Sequence, residues 1–288
     1  MTTTHSMTTT KIAGAGVELA IHDLGGPDDR GAGDEVLIVA HASGFLGQVY
    51  RAFADCLTDR VRVVALDFRA HGDSTAPCTP EEFAWSLMAD DLARVVAHID
   101  APVVHAFGHS LGGATILEAE RLAPGTFASA WLFEPIITGR DVYFSEDSPL
   151  EIGARLRRPT FGSVAEALTR YAAKPPLGLF RADVLHDYVT HGFHEAADGS
   201  ITLKCLPESE ARTFGMSGAI RAEAMCTVDV RTVVAASGDG GIPAALAPQL
   251  VEAMPNATLM EFPFLTHFGP LQEPVSVAAA VRRHIDGL

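Results

Sequence analysis

Six short apolar runs alternate with stretches of helical periodicity, and this alternation limits the folds open to the chain. The runs are 36–40, 61–66, 103–107, 130–133, 230–236 and 258–262. Continuous runs this short, rich in Val, Leu and Ile, predict strands buried on both faces. Alternation of such strands with helices predicts an α/β fold with a mostly parallel sheet and helices on both faces.

The helices between these strands and the start of the chain have their own signals. Helices are predicted over 81–99, 111–121 and 275–285, and Thr79 with Pro80 is typical of a helix start before the first of them. Alternating residues in 11–13 and 17–22 predict an N-terminal hairpin. We expect residues 1–10, which are polar and repetitive, to form a disordered tail rather than a secretory signal.

The segment 138–225 interrupts the alternation. It is rich in proline, has short helical patterns such as 164–173, and contains no strong core strand. We interpret it as a helical cap inserted into a core formed by 1–137 and 226–288. Such a cap is expected over the carboxyl edge of the sheet, where open α/β sheets bind ligands.

The charge of the chain restricts its partners. With 288 residues, its formal charge of −15 disfavours binding to nucleic acid or an anionic membrane, because neutralising phosphates needs clustered Lys and Arg. No apolar stretch reaches the length of a membrane span, and the four cysteines form no CxxC pair. We therefore expect a cytoplasmic protein with reduced thiols and a small-molecule substrate; the sequence says nothing of its oligomeric state.

The sequence Gly-His-Ser-Leu-Gly at 108–112 directly follows an apolar run. A strand that enters a helix through Gly-x-Ser-x-Gly predicts a nucleophile elbow, a strained turn that exposes the serine at the sheet edge. The glycines let the two backbones approach closely, and the helix N-terminus points at Ser110. A glycine-rich turn without chemistry is the alternative.

A serine nucleophile needs a base and an acid that orients the base. His267 follows the last strand and Asp239 the strand before it, so Ser110, Asp239 and His267 have the chain order expected of a hydrolase triad. We therefore predict Asp239 as the acid. Glu134, which follows an earlier strand, is the alternative acid.

Four blocks together resemble the α/β-hydrolase superfamily, and the resemblance extends from Lys11 to the C-terminus. The blocks are His-Ala-Ser-Gly-Phe at 41–45, Asp-Phe-Arg-Ala-His-Gly-Asp-Ser at 67–74, the elbow at 108–113 and Leu-Thr-His-Phe-Gly-Pro-Leu-Gln-Glu-Pro at 265–274. The resemblance implies an oxyanion hole formed by the N–H groups of Ser43 and Leu111, with Gly44 as a nearby substitute. Ala42 and Ala70 depart from the pattern, because the family usually has glycine at both positions.

Other side chains are candidates for contact with substrate or metal. We expect Gly44, Phe45, His109, Phe144 and Phe268 to contact substrate, although core or cap packing also explains the aromatic residues. His186, His191 and His194 have spacings that suit a metal, but Gly192 interrupts the pattern and we interpret them as solvated or pocket-lining. We predict no metal and no cofactor.

The resemblance and the candidate triad predict a serine hydrolase that cleaves a small or medium carboxylic ester, or a related acyl bond, through an acyl-enzyme. Two alternatives stay open. A carbon–carbon bond hydrolase or a hydroxynitrile lyase resembles this chain in the same triad, and a ligand-binding receptor without activity can use the same scaffold. Fold alone does not choose among them.

Overall fold

The structure is a computed structural model that describes residues 7–27, 35–139 and 148–287. Its strands are β1 Thr8–Ala13, β2 Glu18–Gly25, β3 Glu35–Ala40, β4 Arg62–Leu66, β5 Val103–His109, β6 Ser129–Phe133, β7 Thr160–Phe161, β8 Phe193–Glu195, β9 Ile201–Leu203, β10 Thr232–Ser237 and β11 Ala257–Phe262. Its α-helices are α1 Arg51–Ala54, α2 Trp85–Ile99, α3 Leu111–Leu122, α4 Pro149–Arg155, α5 Val164–Ala172, α6 Ala182–His191, α7 Pro207–Gly215, α8 Ile242–Ala253, α9 Gly269–Gln272 and α10 Pro274–Asp286.

Eight strands form the central sheet in the order β1-β2-β4-β3-β5-β6-β10-β11. Pairing is parallel along the order β4-β3-β5-β6-β10-β11, whereas β1 and β2 form an antiparallel hairpin on one side and β2 pairs antiparallel with β4. The predicted parallel sheet with helices on both faces is confirmed, and so is the N-terminal hairpin. Thr8 to Thr10, expected in the tail, instead belong to β1 because they pair with β2.

Apolar side chains of the sheet form a core on each face. In β3, Leu37 and Val39 pack on one side, and Val36, Ile38 and Ala40 on the other. Alternate residues of a strand point to opposite faces, so a strand covered on both sides is apolar throughout. Strand β11 departs from the expectation of burial on both faces, since it lies at the sheet edge and several of its side chains are exposed.

The segment predicted as one helix over 81–99 is divided in two. A 3₁₀ turn, Pro80–Phe83, precedes α2. Ala84 between them has φ −57° and ψ 132°, which lie outside the helical region, so the helix cannot continue through it. The start signal behaves as expected in one respect, because the Glu82 carboxylate accepts the N–H of Thr79 at 2.9 Å. Trp85 begins the second part and is buried.

The residues 148–225 contain helices α4 to α7 and a small antiparallel sheet, β7-β9-β8. The sequence did not indicate these strands, since runs of two or three residues give no periodic signal. None of them pairs with a strand of the central sheet in the described residues. In the described ranges, every helix is too short or too polar to cross a bilayer.

Candidate active site

Ser110 lies in a strained turn between β5 and α3. Its φ of 57° and ψ of −114° are unusual for a residue with a side chain. Two glycines allow the turn to form: a Cβ on Gly108 would lie 2.6 Å from Gly113 Cα, and one on Gly112 would lie 2.0 Å from the Ala40 carbonyl oxygen. The strand and helix backbones therefore approach as closely as the sequence pattern predicts.

The neighbouring strand β6 fixes the backbone of this turn. The N–H of Ser110 donates to the Phe133 carbonyl at 3.0 Å, and the N–H of Ile136 donates to the Ser110 carbonyl at 3.3 Å. Glu134 follows β6 directly, so the turn that holds Ser110 is bonded to residues on both sides of a buried carboxylate.

The carboxylate of Glu134 is bonded to the ring of His267. Nδ1 of His267 donates to Oε2 of Glu134 at 2.6 Å, and Oε1 of Glu134 accepts the N–H of Ser237 at 2.6 Å. The Glu134 side chain is fully buried, and its backbone has a positive φ of 45°. With Nδ1 protonated, neutral His267 has a basic Nε2, which is the tautomer that a general base needs.

Asp239 was predicted to orient the imidazole, and the geometry corrects that prediction. Its Oδ2 accepts the backbone N–H of His267 at 3.0 Å, whereas its Oδ1 accepts the N–H of Gly241 at 2.8 Å and the hydroxyl of Ser237 at 3.0 Å. Burial raises the pKa of Asp239, but the hydrogen bonds from Gly241 and His267 outweigh this effect and the pKa is lowered. Asp239 therefore holds the backbone of the histidine, not its ring.

Sequence order could not separate the two carboxylates. Both follow strands of the parallel sheet, β6 and β10, and these strands are neighbours, so both side chains reach the same loop. The choice depends on side-chain direction after each strand ends, which no local pattern records.

His109 supports the same histidine from within the core. Its Nε2 donates to the carbonyl of His267 at 2.7 Å, and its Nδ1 accepts the hydroxyl of Tyr50 at 2.7 Å. Burial lowers the pKa of His109 well below 6.5, and the nearby His267 lowers it further. This fully buried ring is absent from the cavity wall, which corrects the expectation that His109 contacts substrate.

The backbone N–H groups of Ser43 and Leu111, both near Ser110, have no hydrogen-bond partner among the described residues. They are the groups that the resemblance assigns to an oxyanion hole. The N–H of Gly44 is engaged, since it donates to Nε2 of His71 at 3.0 Å. Gly44 is thus removed as a substitute donor, and it is also absent from the cavity wall.

Neutral histidines hold the loop that carries Ser43. His41 donates from Nδ1 to the Ala42 carbonyl at 2.8 Å and accepts the N–H of Phe68 at 3.0 Å. His71 donates from Nδ1 to the Arg69 carbonyl at 2.9 Å. Because each ring uses one nitrogen as an acceptor, protonation would break a bond on which the loop depends.

A cavity of about 770 Å³ lies over the serine. Ser110, Ser43, His267, Phe45 and Phe268 line one side, and residues of 148–217 line the other. Phe45 and Phe268 thus line the cavity, and their contact with substrate stays a prediction; Phe144 lies outside the described residues.

Ser110 and His267 face the same cavity without a direct hydrogen bond between their side chains. Catalytic hydrogen bonds are often long before substrate binds, so this separation is compatible with a base that approaches the serine when the site is filled.

One group of described residues has the geometry of a cation site: His22, Asp67 and Asp73, with ligand atoms within 4.8 Å of one another. Its atoms are already bonded, because Asp67 accepts from His22 at 2.8 Å and Asp73 accepts from Lys204 at 2.6 Å. We interpret it as the hydrogen-bond network of the 67–74 loop. The cap histidines considered from the sequence are not part of it.

Comparison with known proteins shows the family to which this arrangement belongs. The model of the alpha/beta hydrolase family matches residues 36–280. Among solved structures, a peroxisomal alpha-beta-hydrolase from Saccharomyces cerevisiae superposes with a TM-score of 0.77 at 16% identity, covering 98% of this chain and 88% of that one. At this identity, the superposition shows a shared fold.

Curated relatives match over limited lengths. A pimeloyl-[acyl-carrier protein] methyl ester esterase from Methylococcus capsulatus is 38% identical over 105 residues, which is 36% of this chain and 38% of the relative. The dihydrolipoyllysine-residue acetyltransferase component of an acetoin cleaving system from Cupriavidus necator is 26% identical over 264 residues, 90% of this chain and 65% of the relative. The chain thus spans less than two thirds of either relative.

Proposed function

The chain belongs to the alpha/beta hydrolase family, and from this premise we propose that it is a serine hydrolase that cleaves carboxylic esters through an acyl-enzyme. Ser110 is the nucleophile, His267 the general base and acid, and Glu134 the carboxylate that orients His267. A partial match to a methyl ester esterase supports an ester as the substrate bond.

The observation that carries the proposal is the hydrogen bond of 2.6 Å from His267 Nδ1 to Glu134 Oε2. In the neutral imidazole this bond leaves Nε2 free to accept a proton, in the wall of the cavity that also contains the strained Ser110. Nucleophile, base and orienting acid are the set that acyl transfer requires.

Acylation follows from these positions. Nε2 of His267 takes the proton of Ser110 as Oγ forms a bond to the carbonyl carbon of the ester. The Glu134 carboxylate stabilises the imidazolium, and the N–H groups of Ser43 and Leu111 donate to the oxyanion. The carbon–oxygen bond to the leaving group then breaks, and His267 gives its proton to the departing alcohol.

Deacylation repeats the sequence with water. His267 takes a proton from water as the water oxygen forms a bond to the acyl carbon. The bond from this carbon to Ser110 Oγ then breaks, and His267 returns the proton to Oγ. The products are one carboxylic acid and one alcohol, and the enzyme regains its starting protonation.

Replacing the nucleophile tests the proposal. Ser110→Ala should lower kcat for p-nitrophenyl butyrate at least ~10³-fold, since both covalent steps need Oγ. Ser217→Ala is the matched control, because Ser217 lines the same cavity and should keep kcat within ~2-fold of the unmodified protein.

A fluorophosphonate probe gives a second measurement. It should label the unmodified chain and the Ser217→Ala variant stoichiometrically but not Ser110→Ala. Full ester turnover by Ser110→Ala would refute the nucleophile. Tight binding of ester-like ligands without labelling or turnover would instead indicate a receptor on this scaffold.

A further inference from the structure

The cavity over Ser110 differs in charge from the rest of the molecule. The chain carries a formal charge of −15. The charged side chains of the cavity wall, His267 aside, are four cations, Arg157, Arg158, Arg170 and Lys174, and one carboxylate, Glu210. An excess of positive charge in a cavity of a negatively charged protein favours a ligand that is negatively charged.

Two of these cations are neutralised by partners. Arg157 pairs through Nη1 with the carboxylate of Glu210, and its Nη2 donates to the hydroxyl of Tyr188. Arg158 pairs with Glu166, with 2.7 Å between Nη1 and Oε1. Both arginines therefore have structural roles that account for their charge.

Arg170 and Lys174 are not paired in this way, although the Glu166 carboxylate that pairs with Arg158 also lies near Arg170. In the part of the chain that the structure describes, neither side chain forms a hydrogen bond or an ion pair. Arg170 is in the last turn of α5, and Lys174 follows four residues later. A helix C-terminus favours cations by about 0.3–1 kcal/mol, which explains tolerance of the charges but not their place on a cavity wall.

Their position marks the mouth of the cavity. Arg158, Arg170 and Lys174 line both the cavity over Ser110 and a shallow outer depression beside it. Residues shared by the two lie where the interior space meets the surface. Apolar side chains, among them Leu156, Phe161 and Leu177, complete the cavity wall.

We propose that the substrate carries an anionic group, a carboxylate or a phosphate, that binds Arg170 and Lys174 while its acyl carbon lies at Ser110. The proposal rests on the proposed function, since it names the class of ester or thioester that this site takes. An apolar segment separates the two ends of the substrate, because the cavity that holds both the cations and the serine is lined mainly by apolar side chains.

The anion can belong to either side of the scissile bond. A carboxylate at the far end of the acyl chain and a phosphate in the leaving group would reach the same two cations. The first arm of the test compares the mono-p-nitrophenyl ester of suberic acid with p-nitrophenyl octanoate. The second compares octanoyl-coenzyme A with the octanoyl thioester of N-acetylcysteamine.

The variant Arg170→Gln/Lys174→Gln removes both charges and keeps side chains of useful length. It should raise KM for the preferred anionic substrate about 10-fold, the change expected for losing about 1.4 kcal/mol of binding, with kcat within ~2-fold. The neutral substrate should be unaffected. Added salt should reduce the anionic preference of the unmodified enzyme and have little effect on the variant.

Arg283→Gln is the matched control, because Arg283 is an exposed arginine of α10 that lines neither the cavity nor the outer depression. It should leave every KM unchanged. Preference for the suberate ester indicates an acyl-side carboxylate, and preference for coenzyme A indicates a leaving-group phosphate. Neutral hydrolysis with no anionic preference in either arm overturns the inference alone, whereas absence of all ester and thioester turnover also overturns the proposed function.

Discussion

His267 is held at three points, and each contact has a different consequence. Glu134 accepts from the ring, Asp239 accepts from the backbone N–H, and His109 donates to the backbone carbonyl. Only the first contact acts on the atoms that change protonation. The two backbone contacts set where the ring lies, which makes Asp239 and His109 positioning residues in the proposed mechanism.

The two carboxylates are distinguished by isosteric substitution. Glu134→Gln should lower kcat for p-nitrophenyl butyrate by ~10³-fold or more, because a neutral amide stabilises neither the needed tautomer nor the imidazolium. Asp239→Asn keeps an oxygen that can accept the His267 N–H, so we expect a loss of ~10-fold or less. Steady-state kinetics on both purified variants measure the difference, and a larger loss for Asp239→Asn would reverse the assignment.

At the scale of elements, the strands were the most predictable part of the molecule. Burial on both faces makes β3, β5 and β10 apolar over most of their length, and this signal is local. The break before α2 was not visible. There Trp85 donates from its indole N–H to the Thr213 carbonyl of α7 at 2.9 Å, a contact across 128 positions in sequence. The local periodicity that predicts a helix contains no information about a hydrogen bond to a segment far away in the sequence.

The site divides in the same way. Ser110 and its turn could be predicted because the spacing of the glycines and the apolar strand directly before them are local features. The acid could not, since Asp239 and Glu134 both follow strands that end at one edge. The cavity cations gave no sequence signal either, because Arg170 and Lys174 resemble any pair on a solvated helix.

The contact between β3 and α3 supplies a prediction at this scale. Gly112→Ala should destabilise the protein by ~2 kcal/mol or more, because the new Cβ would lie 2.0 Å from the Ala40 carbonyl oxygen, a backbone atom. Gly153→Ala in α4 meets nothing within 4 Å and should raise stability by up to ~1 kcal/mol.

Urea denaturation of both variants measures these changes. If Gly112→Ala unfolds at the same urea concentration as the unmodified protein, the close approach of helix and strand is incorrect. Loss of stability in Gly153→Ala would mean that helix propensity does not govern that position.

For the whole molecule, buried histidines couple folding to pH. Burial and the neighbouring His71 lower the pKa of His41 to about 3, and burial also lowers the pKa values of His71 and His109. In the unfolded chain the pKa of a histidine is about 6.5, so the unfolded chain takes up protons before the folded chain does as pH falls. The stabilising contribution is complete above pH ~6.5 and is lost as pH decreases towards the folded values.

We expect the free energy of unfolding to be lower at pH 5 than at pH 7.5 by at least ~2 kcal/mol, since one such histidine contributes about 1.4 kcal/mol per pH unit below 6.5. Urea denaturation at several pH values measures the slope. His41→Gln should reduce it, whereas His98→Gln, a change at an exposed position, should not. Equal stability at both pH values would contradict neutral burial of these rings.

The three members of the proposed triad are attached to the sheet at different distances from its edge. Ser110 and Glu134 follow β5 and β6, adjacent hydrogen-bonded strands, so the sheet spacing fixes one against the other. His267 comes from a loop after the edge strand β11, two strands farther out. Insertions or deletions between β11 and α9 would move His267 and change proton transfer, while Ser110 and Glu134 kept their positions. This loop is therefore where we expect reactivity to differ most among descendants of such a chain.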